Sequence, residues 1–243
     1  MPVVDPDRAL SRTEASMEVE SIGWRYLLGT LAASVPVASL DQAVTVAQIA
    51  LAAVGADADA HLRVDLRPDR VELSVQTRAK GTVTGHDTEQ AHRISTALNE
   101  AGCQIGAALT TSYPRPVGML EIAIDALDIP AVRPFWKAAL GFVDDPADPG
   151  PEGALIDPAG QQPTVWFQRM EAPREQRNRI HFDVTVAHDE AQPRVQAVLE
   201  AGGRLVDDSY ARMFWVLADA EGNECCICTW TDRDEWQSSG RPD

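Results

Sequence analysis

Hydrophobic and polar positions recur along this chain with two different periods, and the switches between them mark out its elements. After a polar opening, residues 24–37 (WRYLLGTLAASVPV) are mostly apolar and predict a strand-like stretch. Residues 40–54 place Ala43, Val46, Ala47, Ile49, Ala50 and Ala53 at three- and four-residue spacing, with Asp41 and Gln42 near the start. That pattern predicts a helix with one buried face. Residues 61–77 (HLRVDLRPDRVELSVQT) alternate on both sides of Arg67-Pro68-Asp69-Arg70, as a β-hairpin with a four-residue loop would, with Leu62, Val64 and Leu66 facing one way. Thr84 and Asp87 bracket the start of a second helix that reaches about Ala101, Thr84 as N-cap and Asp87 set against the positive helix end. His86 and His92 fall on its surface.

From residue 120 the pattern repeats. The first copy reads LEIAIDALDIPAVRPFWKAALGF, ALIDPAG, TVWFQRM; the second reads RIHFDVTVAHDEAQPRVQAVLEAGGRLV, FWVLADAEGN, ECCICTW. Each predicts a strand, a helix, a strand and a hairpin. Laying Glu121 on His181 puts Asp128 on His188 and, with a small gap, Asp157-Pro158-Ala159-Gly160 on Asp219-Ala220-Glu221-Gly222. Duplicated units of this size usually enclose one cleft.

These elements divide the chain into a tail or loosely docked helix at 1–18, where Ser11 to Glu14 has capping-box spacing, and an N-terminal domain at 19–112. A C-terminal domain follows at 119–232, with copies 119–170 and 178–230, and then a frayed tail at 233–243. The Pro- and Gly-containing stretch Leu109 to Gly118 is the expected boundary, Glu171 to Arg177 a charged connector, and Asp144 to Gly153 a solvated loop.

The chain has 243 residues, 44% of them hydrophobic, enough for two cores. A formal net charge of −16 repels phosphate backbones and anionic headgroups, so neither nucleic acid nor a membrane is an expected partner. The longest apolar stretches, such as Val44 to Ala56, fall short of the roughly 20 residues that span a bilayer. No basic-then-apolar signal opens the chain. Cys225, Cys226 and Cys228 share one predicted strand, a poor geometry for structural disulfides, and reduced thiols in the cytosol are expected.

Trp24 before a strand, the Ala-rich helix, the block Val71 to Thr77 and the Thr84/Asp87 helix start resemble the pterin-4a-carbinolamine dehydratase family over about eighty residues. The resemblance implies an α+β fold with helices on one face of an antiparallel sheet, and a lyase acting on a 4a-hydroxytetrahydropterin. The family's His-His-Pro triplet aligns with Ala60-His61-Leu62 and its Thr-His pair with Thr77-Arg78. Losing water from a carbinolamine needs an acid and a base with pKa values near working pH, which suits an imidazole. His61 is thus the implied catalytic group, with Asp57 or Asp59 to move protons or orient it. Arg78 stays protonated and would bind or stabilise charge, and Thr77 would bind substrate.

Phe135 to Phe142, Asn178 to Asp183 and Asp219 to Cys225 resemble the glyoxalase-like branch of the vicinal-oxygen-chelate superfamily, which includes glyoxalase I and bleomycin-resistance proteins. Metal-using members aim four side chains from symmetry-related strands into the cleft and leave a coordination position open. The implied set is Glu121, Gln168 or Trp166, His181, and Glu224 or Cys226. A carboxylate, an imidazole and a thiolate would suit zinc; the alternative is a cleft without metal. Cys226 and Cys228 would face the cleft and Cys225 and Ile227 the helices. Trp166 and Trp215 could line an apolar pocket.

Three functions follow. The first is a pterin-4a-carbinolamine dehydratase-like lyase fused to a glyoxalase-like domain. The second is a small-molecule-binding or metal-assisted glyoxalase/dioxygenase-type protein working through the C-terminal cleft. The third is a non-catalytic ligand sensor or oligomerisation module. Both resemblances imply a homodimer by analogy.

Overall fold

The structure is a computed structural model that describes residues 6–106, 119–173 and 180–233. The expected boundary at 109–118, residues 174–177 of the connector and the tail from 234 lie outside the described residues. The chain divides into two compact units, Met1–Met119 and Leu120–Asp243.

In the first unit the elements run α1 (Arg12–Val19), β1 (Arg25–Leu27), β2 (Thr30–Pro36), α2 (Leu40–Val54), α3 (Ala58–His61), β3 (Leu62–Leu66), β4 (Arg70–Val75) and α4 (Gly85–Glu100). The strands form one antiparallel sheet in the order β1-β2-β4-β3. The strand-like stretch from Trp24 is therefore a hairpin. Leu28 (φ 44) and Gly29 (φ 76) make its two-residue turn, with Leu27 paired to Thr30. Two successive positive φ angles are what such a turn requires, but Leu-Gly lacks the Asn-Gly signature that would reveal it.

Within the opening segment, residues 12–19 form the capped helix α1. Ser11 Oγ accepts from Glu14 N at 3.2 Å and the Glu14 carboxylate accepts from Ser11 N at 2.8 Å, closing the capping box. Ala15 and Val19 are fully buried. Helix α2 has its predicted span, capped by Ser39 Oγ, which accepts from Gln42 N at 3.2 Å. Helical structure continues through a 3-10 turn (Gly55–Asp57) into α3. The whole run Leu40–His61 spans 22 residues at mean hydropathy 1.3, long and apolar enough by length and composition to cross a bilayer. That corrects the shorter estimate, which stopped at Ala56. Its face of Ala43, Val46, Ala50 and Val54 packs in the unit's core.

That core lies between α1, α2, α4 and the sheet face carrying Leu31, Ala33, Val35, Val71, Leu73 and Val75. Each large apolar side chain buried there stabilises the fold by about 1.5–3 kcal/mol. Trp24, fully buried, keeps its indole N–H satisfied by donating to Ser95 Oγ at 2.9 Å.

The second unit contains β5 (Glu121–Ala126), α5 (Ile129–Leu140), β6 (Val143–Asp144), β7 (Leu155–Ile156) and β8 (Thr164–Arg169). The same order then recurs as β9 (Phe182–Thr185), α6 (Ala191–Glu200), β10 (Arg204–Asp207), β11 (Phe214–Ala218) and β12 (Glu224–Cys228). The sheets are ordered β5-β8-β7-β6 and β9-β12-β11-β10, and in each the first strand lies parallel to the last. The two copies are thus one topology used twice. They share a single apolar core to which Val132, Phe135 and Trp136 of α5 and Val195 and Val198 of α6 contribute.

Polar contacts tie the copies together. The Asp219 carboxylate accepts from Trp136 Nε1 at 3.0 Å. The Glu221 carboxylate accepts from Leu127 N at 2.8 Å and Asp128 N at 2.7 Å, at the entry to α5. Helix α5 ends at Gly141 (φ 72), where a Cβ would lie 2.6 Å from an Arg194 guanidinium nitrogen.

Candidate functional site

Strand periodicity decides which residues of the second unit are available for chemistry. Ile124, Val165 and Phe167 of the first copy and Cys225 and Ile227 of the second belong to the core, with Ile122, Phe182 and Val184 packed against it. Alternate residues therefore occupy the opposite sheet face. In the first copy these are Glu121, Ala123, Asp125, Trp166 and Gln168; in the second they are His181, Asp183, Thr185, Glu224, Cys226 and Cys228.

The strand registers make the copies comparable position by position. Ala123 pairs with Trp166 and Asp125 with Gln168; Asp183 pairs with Cys226 and Thr185 with Cys228. With Glu121 laid on His181, Ala123 is the counterpart of Asp183, Trp166 of Cys226 and Gln168 of Cys228. Sequence spacing alone left Trp166 and Gln168 as equal counterparts of Cys226.

Among the described residues, the structure gathers His181, Asp183 and Cys226 as a set of metal-ligand types, their donor atoms all within 4.8 Å of one another. His181 Nε2 lies 3.4 Å from Asp183 Oδ1, with both side chains more than half exposed, while Cys226 is 8% exposed. Asp183 was missed in the sequence. Its signal was there, since it stands two residues after His181 on the same strand face, but the family pattern assigned that position no role. Among the described residues neither Glu121 nor Glu224 joins this trio, and Gln168 is exposed on the first copy's face. Trp215 does not line this face, being 6% exposed within the core, whereas Trp166 is 37% exposed.

The three thiols of β12 differ by what they touch. Burial, then the Asp219 carboxylate, pushes the Cys225 thiol up to about 12, so it stays protonated. Cys226 is raised further by its hydrogen bond to Cys228, by burial and by the Asp183 carboxylate. Cys228, accepting that bond with the Arg233 guanidinium nearby, is lowered.

The first unit brings a different group together. His61, at the end of α3, lies with Nδ1 2.7 Å from Asp87 Oδ1. Asp87 is fully buried, and its Oδ2 accepts from Thr77 N at 3.0 Å, Thr77 Oγ1 at 2.8 Å, Thr84 N at 2.7 Å and Thr84 Oγ1 at 3.1 Å. A carboxylate so surrounded acts as acceptor, so His61 Nδ1 donates to it. Asp57 and Asp59 are exposed and make no hydrogen bond or ion pair with His61, so the orienting carboxylate is Asp87. The sequence marked Asp87 only as a helix-start residue. Arg78 donates to the Leu62 carbonyl at the head of β3, and the His86 ring lies 6.2 Å from that of His61.

Residues 121–228 match the family model described as glyoxalase-like domain. Among solved structures, the chain is similar to a glyoxalase/bleomycin resistance protein/dioxygenase family enzyme from Burkholderia phytofirmans at 19% identity and a TM-score of 0.37, covering 45% of this chain and 95% of that one. It is similar to the fosfomycin resistance protein FosX from Mesorhizobium loti at 11% identity and a TM-score of 0.38, covering 49% and 97%. A glyoxalase/dioxygenase from Nostoc punctiforme matches at 17% identity and a TM-score of 0.37, covering 49% and 97%. No curated protein matches the chain. Residues 121–228 of the second unit thus form a glyoxalase-like domain.

Proposed function

We propose that the chain acts through its glyoxalase-like domain as a small-molecule-binding protein of the glyoxalase/dioxygenase type, assisted by a divalent cation. The observation that carries this reading is the convergence of His181, Asp183 and Cys226 on the sheet face turned away from the core. An imidazole, a carboxylate and a thiol fit a zinc-class ion by donor type. When bound, such an ion supplies Lewis acidity toward oxygens of a substrate. The chain's own residues supply the rest. Asp183 stands beside the His181 ring and can orient it, and the parallel pairing of β9 with β12 sets Cys226 opposite Asp183. The four free cysteines suit a reducing, cytosolic setting.

Metal analysis of protein purified without chelator, paired with turnover assays on hemithioacetals of 2-oxoaldehydes, tests the reading. Stoichiometric metal lost in His181→Ala together with activity supports it; metal-free protein that binds none of these compounds removes it.

A second reading is favoured by the His61–Asp87 pair. An imidazole anchored through Nδ1 to a buried carboxylate is suited to general acid–base work, so we propose the first unit as a separate lyase centre for a 4a-hydroxytetrahydropterin. Turnover abolished in both His61→Ala and Asp87→Asn is the expected result, and a wild-type protein without turnover removes this activity.

A further inference from the structure

We infer that the second copy alone builds the cation site, with His181, Asp183 and Cys226 as three protein donors, and that it selects a thiophilic cation over manganese or magnesium. This rests on the cleft reading above but makes a narrower claim, because the superfamily resemblance distributes the donors over both copies.

Two observations carry the inference. The first is distance. Two donors about 2.0–2.2 Å from one tetrahedral cation sit about 3.3–3.6 Å apart, and His181 Nε2 and Asp183 Oδ1 are already at 3.4 Å. Their exposed side chains are free to close the remaining spread toward Cys226, whose sulfur is fixed by its strand. The second is the register. Asp183 of β9 pairs directly with Cys226 of β12, and His181, the residue before β9, precedes Asp183 by two, so the donors gather at two hydrogen-bonded neighbouring strands. The counterparts in the first copy are Glu121, Ala123 and Trp166. A methyl group and an indole provide no ligand, so the first copy cannot build the same site.

The donor types then set the selectivity. Magnesium and manganese favour sites of oxygen donors, whereas a sulfur and an imidazole beside a single carboxylate suit zinc. Three protein donors leave a fourth position for a water or a substrate atom. On binding, the Cys226 proton passes to solvent and its sulfur enters as thiolate.

The test is titration of the full chain with zinc and with cobalt as its spectroscopic substitute, in the wild type and in C226S, D183N and E121Q. We expect one equivalent of cobalt, with intense visible bands of a four-coordinate ion and a near-ultraviolet thiolate-to-cobalt band. C226S should lose the thiolate band, and D183N, with its fold checked by circular dichroism, should weaken zinc by at least about tenfold. E121Q should bind as the wild type does, and excess manganese should not displace the cobalt. A loss in E121Q equal to that in D183N overturns the one-copy site while leaving metal assistance standing. Cobalt binding without the thiolate band overturns the role of Cys226. A wild type that turns over substrate without binding either cation overturns the inference and leaves the small-molecule cleft intact.

Discussion

The two copies of the glyoxalase-like domain share a topology and a strand register, yet at matched positions one presents Glu121, Ala123 and Trp166 and the other His181, Asp183 and Cys226. Their core-facing residues remain interchangeable in kind: Ile124 and Val184, Val165 and Cys225, Phe167 and Ile227 are all apolar and packed. Packing against shared helices constrains one face of each strand, while the other face is left to chemistry. The duplication therefore preserves a scaffold without preserving a site, and one copy can hold reactive groups while the other offers an indole and an alanine.

The largest effect separating the copies is expected in cation binding. His181→Ala should abolish stoichiometric zinc, whereas Trp166→Ala should leave it unchanged, as measured by metal content after dialysis. Equal losses would show that the copies act jointly.

The turns before the last strands form the next contrast. Asp219 is 1% exposed and accepts from Trp136 Nε1, from Glu221 N and Asn223 N, both at 2.9 Å, and from Asn223 Nδ2 at 2.8 Å. Its counterpart Asp157 is half-buried, accepting from the backbone of Ala159, Gln161 and Gln162. Removing a buried acceptor strands its donors, so Asp219→Ala should cost about 2–4 kcal/mol in chemical denaturation. Asp157→Ala should cost about 1 kcal/mol. Similar costs would mean that the turns are structurally equivalent.

Glu221 caps the entry to α5, and Glu221→Ala should cost about 1 kcal/mol by loss of that cap, again read from denaturation. The smallest effect concerns Asp144. Hydrogen bonds from Lys137 and then Arg133 hold its carboxyl below the usual aspartate range. A depressed folded-state value stabilises the fold above the unfolded value and is lost as pH falls through the folded one. Asp144→Asn should therefore flatten the acid limb of the stability profile slightly and leave the neutral region with a small, pH-independent loss. An unchanged acid limb would show that the pair is too exposed to matter.

Much of this was legible in the sequence where a period was long enough to read. Helix α2, the β3–β4 hairpin with its loop at 67–70, the Thr84/Asp87 helix start and the repeat at 121–228 all carry patterns that packing imposes. The β1–β2 turn escaped because Leu28 takes a positive φ without the residue that usually advertises one. The candidate sites were harder for a shared reason, since each joins residues that local pattern assigns to different tasks. Asp87 reads as a helix-start residue and is also the carboxylate behind His61. Asp183 reads as an ordinary outward strand position until the parallel pairing of β9 with β12 sets it beside Cys226. Sequence distance conceals both meetings, and only strand order and register disclose them.

The most direct measurement is a crystal structure of the zinc-loaded protein with the ion located by anomalous scattering at the zinc edge. One peak is expected about 2.0–2.4 Å from His181, Asp183 and Cys226, with Glu121 outside its coordination. A peak bridging Glu121 and His181, or none at the second copy, would contradict the account.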